Sequence, residues 1–118
     1  MTHQRIEAAQ PDETRALLEE AYEALFPRYI SRVYGKLTTH TAHADAFMRC
    51  LSAKAYLDAA MMLLPVGWLI VSWSDLGGGG GCCCTLGCPG TGASATADNG
   101  ERTLALALLS AICMARGL

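Results

Sequence analysis

The sequence predicts an α+β fold: a small α/β/α sandwich, with helices packed on a two- to three-stranded antiparallel sheet. Three observations carry this. The block AYLDAAMMLLPVGW, Ala55 to Trp68, reads as a helix that stops at Pro65, turns at Gly67 and enters a strand at Trp68. The next residues, Trp68-Leu69-Ile70-Val71-Ser72-Trp73, are bulky and β-branched, as strand residues are. The closing block ERTLALALLSAICMARGL is a helix that is apolar on nearly every face and so must be buried on every side.

The elements follow in chain order. Pro11-Asp12-Glu13 marks a helix start with Asp12 as N-cap. Leu17, Leu18, Ala21, Tyr22 and Leu25 then repeat at helical spacing opposite Glu19, Glu20 and Glu23. Pro27 interrupts this helix, and a short second helix is expected up to Tyr34, ending near Gly35. Thr38, Thr39 and Thr41 are cap candidates for a third helix over 42–64, whose inward face would use Phe47, Leu51, Ala55 and Met62. Five glycines, Gly77 to Gly81, form a turn with high backbone entropy, and Cys82 to Leu86 is the returning strand. Residues 87–97 are small and turn-rich, with room for one short edge strand. Asp98 with Glu101 three residues on resembles a capping box that opens the last helix. Arg116 and Gly117 suit that helix's end. A charge placed at Leu104 or Ile112 in it would be buried unpaired.

At 118 residues the chain is read as one domain, 1–118, with residues 1–10 as a candidate disordered lead and 77–100 as a glycine-rich strand-loop region. Apolar residues make up 52% and charged residues 17%, richer and poorer than a typical soluble domain. That excess predicts a homo-oligomer, such as a homodimer, or an apolar patch that meets a partner. The N-terminus is polar and has no secretory h-region. The longest apolar run, 59–73, is too short to span a bilayer and is broken by Pro65 and Gly67. A cytoplasmic location is expected, with no membrane contact and all six cysteines reduced.

Three blocks resemble the phage ABA-sandwich domain family. RIEAA with PDETRALLEEA resembles that family's opening helix, AYLDAAMMLLPVGW its helix-to-strand block, and LALALLSAICMAR its closing helix. The resemblance covers about two thirds of the chain. It implies a small phage or prophage protein, and it carries over no catalytic residue. The GGGGGCCC segment and the basic, histidine-bearing stretch from Arg28 to His43 depart from the family pattern.

Four features bear on chemistry. Cys82, Cys83, Cys84 and Cys88 lie close together, and Cys84 with Cys88 has the spacing of one half of a thiolate zinc site. The second pair is missing, and three consecutive strand cysteines point to alternate faces, so burial as small hydrophobes is the competing reading. His40 and His43, followed by Asp45, share a helical spacing that metal ligands or a proton-transfer pair would use, but no full ligand set accompanies them. Arg28, Arg32 and Lys36 are four apart, flanked by Tyr29 and Tyr34, with no acid between Ala24 and Ala42. This basic stripe is the candidate partner-binding surface, with Tyr29 part of it. An acidic protein surface suits it better than nucleic acid, given the net charge of −2. The acids of the first helix are the competing partners for the stripe. The glycines fit neither a phosphate loop, since no GK[ST] follows, nor a dinucleotide fingerprint, since Gly90-Thr91-Gly92 does not join a strand to a helix.

No catalytic residue and no cofactor is expected. The function predicted from the sequence is that of a phage or prophage accessory protein that binds a protein. An inhibitor of a host defence system, of anti-CRISPR type, is one form of it, and a metal-binding module built on Cys82–Cys88 is the alternative.

Overall fold

The computed structural model describes residues 6, 9–75, 82–101 and 103–116, and the fold is α+β. A 3-10 turn at Pro11–Glu13 leads into α1 (Thr14–Leu25). A hairpin of β1 (Ile30–Val33) and β2 (Lys36–Thr39) follows, then α2 (Ala42–Ser52) and α3 (Tyr56–Met61). The chain continues through β3 (Leu69–Asp75), β4 (Cys82–Cys88) and β5 (Ala93–Glu101) and ends in α4 (Leu104–Ala115). Helices pack on an antiparallel three-stranded sheet of order β3-β4-β5, and β1-β2 forms a separate two-stranded sheet.

The organising element is α4. Thr103 caps it by accepting from the Leu106 amide at 3.2 Å. Every residue from Ala105 to Cys113 is buried. One side of the helix lies on β4 and β5, and α1 and α3 pack against it elsewhere. The layers therefore run from the sheet to α4 and on to the remaining helices. Cys82, Cys84 and Leu86 of β4 and Ala95 and Ala97 of β5 point into this core. Period-2 alternation explains the split: Cys83 and Thr85 face the other way, where Thr85 and Thr96 pair their hydroxyls at 3.2 Å. The apolar character of α4 is satisfied within one chain and does not itself require a second copy.

Several elements differ from the sequence expectation, each for a local reason. Gln10 and Glu13 close the opening turn, the Glu13 amide donating to Gln10 O at 3.0 Å and the Gln10 amide to Glu13 Oε1 at 3.1 Å. The α-helix therefore starts after Glu13, and Asp12 is not its N-cap. The expected short helix before Gly35 is instead the β1–β2 hairpin. Ile30, Val33, Thr38 and Thr39 favour strand, and Tyr34 and Gly35 both take positive φ, +52° and +77°, as a type I′ turn requires. Asp98 and Glu101 do not cap the last helix, because β4 pairing extends β5 through both of them. The edge strand expected among the small residues of 87–97 is present and longer than expected, running over Ala93–Glu101.

The single helix expected over 42–64 is two helices. Thr41 caps the first by accepting from the Ala44 amide at 3.1 Å, and Ala44, Phe47 and Leu51 are its buried face. It ends in a Schellman motif. The Ala55 amide donates to Cys50 O at 2.8 Å, the Lys54 amide donates to Leu51 O at 3.1 Å, and Lys54 sits at φ +57°. A lysine pays a steric cost there that glycine does not. Ala55 and Met62, expected inward, are only half-buried after this break, and Ala59, Ala60 and Leu63 are buried instead. We expect Lys54→Gly to raise stability by about 0.5–1 kcal/mol, read as a higher denaturant midpoint at unchanged m-value. Arg116 at the end of α4 locks the segment after α3, donating to Leu63 O from Nη2 at 3.0 Å. The Pro65-Val66-Gly67-Trp68 turn then enters β3 with Gly67 at φ +87°. The Gly77–Gly81 loop lies outside the described residues.

Candidate functional site

The basic, histidine-bearing stretch from Arg28 to His43 is built on an aromatic root. Tyr22 of α1 is fully buried, its ring 4.2 Å from Phe47 and 4.9 Å from Phe26, centroid to centroid. Phe26 stacks on Tyr29 at 5.1 Å, and His43 lies against Tyr22, Phe26 and Tyr29. The Tyr22 hydroxyl and His43 Nδ1 share a 2.6 Å hydrogen bond. Burial, with Tyr29 nearby, pushes the Tyr22 hydroxyl up to about 12. The His40 amide donates to Tyr29 O at 2.8 Å and closes the base of the hairpin. The hairpin thus projects from a fixed base.

Its polar side chains are largely used in holding it. Arg32 Nε donates to Glu23 Oε1 at 2.5 Å, and Arg32 Nη2 is 3.8 Å from Glu19 Oε2. These are α1 acids, and Arg15 shares Glu19 at 3.3 Å. Such exposed pairs contribute little individually, but here they tie the strand to the helix. Ser31 Oγ and His40 Nε2 share a 2.7 Å hydrogen bond, and Thr39 Oγ1 donates to Asp45 Oδ1. Ser31 and His40 have the atom types of a nucleophile and a base. Among the described residues no acid orients His40, so the triad pattern is not met.

The basic stripe does not survive as a stripe. A four-residue spacing gives one face only on a helix, and this segment is a hairpin. Strand register pairs Arg32 with Leu37 and Val33 with Lys36, so Arg32 and Lys36 lie on opposite faces. Arg28 precedes the strand and borders an open hollow of about 290 Å³ lined by Leu25, Phe26, Pro27, Arg28 and Tyr29. Among the described residues Arg28 and Lys36 make no ion pair. Tyr29 is half-buried in the aromatic root, and Tyr34 at the tip is fully exposed, at 100% of its surface.

The metal candidates stay apart. His40 and His43 are engaged with Ser31 and Tyr22, on the hairpin side. Cys84 is buried under α4, and Cys88 is half-buried at the far end of β4. Among the described residues no three His, Cys, Asp or Glu side chains gather as a metal ion needs. Cys82, Cys84 and Cys113 are buried, as small hydrophobes are, and burial pushes the Cys113 thiol up. Among the described residues no helix is long and apolar enough to cross a membrane.

The apolar excess of the composition predicts an exposed patch without placing it, and exposed apolar side chains stand on the sheet edge at Leu69, Val71 and Trp73. Their apolar character was plain, but it could be read as core just as well as surface. No family model, no curated protein and no solved structure is found to match this chain.

Proposed function

We propose that this chain is a small accessory protein that acts by binding another protein, with the β1–β2 hairpin as its contact. The observation that carries this reading is Tyr34. A large aromatic side chain stands fully in solvent at a turn position where its backbone is strained. Asparagine or glycine would serve the turn better. A strained, exposed aromatic at the tip of a braced hairpin is the kind of anchor that fills a pocket on a partner. Val33 beside it is also exposed, and Lys36 and Arg28 add positive charge. A partner with an acidic rim around an apolar pocket fits this surface. The setting we assign, a phage or prophage genome, rests on the sequence resemblance alone.

Tyr34→Asn separates structure from function. It should raise stability by about 1 kcal/mol, because asparagine accepts positive φ. A rise in melting temperature of roughly 4 °C is expected. The same variant should no longer retain the protein that the tagged wild type captures from its host lysate. A variant that holds the same partner in undiminished yield would remove the hairpin from the contact.

A further inference from the structure

The second exposed apolar feature is on β3, in a different sheet from the hairpin. β3 is an edge strand, hydrogen-bonded to β4 on one side, and among the described residues no strand pairs with its outer side. Leu69 is 59% exposed, Val71 67% and Trp73 46%. Leu69 pairs with Gly87 and so faces away from α4. A register shift between Ile70 and Ser72 makes Val71 an extra residue in the strand. A Cβ on Gly87 would meet Val71 Cγ2 at 2.9 Å, which places the Val71 side chain on Leu69's face. Trp73 pairs with buried Cys84 and lies on the opposite, helix-facing side of the edge. Apolar side chains therefore flank the open hydrogen-bonding row on both faces of the sheet. An open hollow of about 270 Å³ beside Leu69 and Val71, floored by Gly87 and bordered by Cys88, extends the apolar surface.

Natural edges are usually blunted by lysine, proline or inward charge. Residues 69–74 contain none of these. The other edge, β5, contrasts with it: ASATADNGE is small and polar and includes Asp98 and Glu101. The strand that fits beside β3 must be extended, uncharged and apolar on both faces. Residues 69–74 of β3 meet that description, with Leu69 and Val71 on one face and Ile70 and Trp73 on the other, and the strand's one charged residue, Asp75, stands at its end.

We propose that the chain forms a twofold dimer in which two copies of β3 pair antiparallel, joining the two three-stranded sheets edge to edge. An antiparallel pair of identical edges is isologous, so it closes at two copies. It buries the three exposed side chains of each copy and satisfies the outer backbone groups. This surface is separate from the hairpin, so loss of the dimer leaves the proposed partner contact in place.

The test is mass in solution by light scattering, from low to high micromolar protein. The wild type should approach twice the 12.5 kDa chain mass as concentration rises. Val71→Lys, which puts a charge on the exposed edge, should stay at one chain mass with an unchanged circular dichroism spectrum. Ser94→Lys, the same charge on the β5 edge, should still dimerise. In wild-type protein, amide exchange of the β3 segment should slow with concentration while that of β5 does not, which reads the interface without any variant. A wild type monomeric at every concentration, a Val71→Lys dimer, growth beyond two copies, or concentration-dependent protection confined to β5 would each overturn the proposal.

Discussion

Ile112→Asp should yield a chain that shows no cooperative thermal transition. Ile112 is fully buried in the last turn of α4, the helix that lies between the sheet and the other helices. The substitution removes a buried side chain whose transfer from water contributes about 1.5–3 kcal/mol. It also forces a carboxyl group among fully buried apolar side chains, one turn from an Arg116 guanidinium that is already held on Leu63 O, at a cost of several kcal/mol even when the group takes up a proton. The sum is comparable to the whole stability of a small domain, about 5–15 kcal/mol. The same helix supplies its own scale for a milder insult. Among the described residues Ser110 Oγ is buried with no hydrogen-bond partner, and an orphaned hydroxyl of that kind costs about 1–3 kcal/mol. Ile112→Val should cost about 1 kcal/mol and retain a sharp transition, which separates loss of volume from burial of charge. Leu104 is a different case from what sequence suggested. It is the first residue of α4 and only half-buried, so an aspartate there reaches water and favours the positive helix end. A cooperative melt of Ile112→Asp at the wild-type temperature would contradict the placement of α4.

The parts of this fold that were legible in the sequence are those where pattern and packing agree. The α1 stripe of Leu17, Leu18, Ala21 and Tyr22, the PVG turn into β3 and the uniformly apolar α4 all match the observed elements. Alternation at Cys82-Cys83-Cys84 correctly separates two buried thiols from one facing outward. What stayed hidden involves turn chemistry carried by unusual residues. Tyr34-Gly35 makes a turn usually made by Asn-Gly, and Lys54 ends a helix where glycine is the usual signal. Lys54 looks innocuous in a helix, so 42–64 reads as continuous, and Tyr34-Gly35 reads as the end of a short helix. The dispersal of Arg28, Arg32 and Lys36 follows from the first of these misreadings, because a face defined at period 3.6 has no meaning in a hairpin. The pairing of Arg32 with Glu23 and Glu19 needed only the acids of α1, which the sequence already offered as competitors.

Tyr22 should show two separable effects, one of volume and one of charge. Tyr22→Ala removes a ring stacked on Phe47 and tilted against Phe26 and opens a cavity at the root of the hairpin, with an expected loss of about 3–5 kcal/mol. Tyr22→Phe keeps the ring and deletes only the 2.6 Å hydrogen bond to His43, so near neutral pH it should cost about 1 kcal/mol. The ranking changes in alkali. The Tyr22 hydroxyl ionises near 10 in the unfolded chain, and burial holds it up to about 12 in the folded one. Below pH 10 both states keep the proton and Tyr22 contributes no pH dependence. Between 10 and 12 the unfolded state releases the proton while the native state retains it, so stability falls as pH rises, and it levels off above 12. Phenylalanine has no proton to release. The melting-temperature advantage of wild type over Tyr22→Phe should therefore shrink as pH climbs past 10 and reverse before 12. Other groups that titrate in this range are common to both proteins and cancel in the difference. A difference that stays constant from pH 8 to 11 would mean that the hydroxyl meets water in the native state, and the aromatic root of the hairpin would then be looser than its geometry implies.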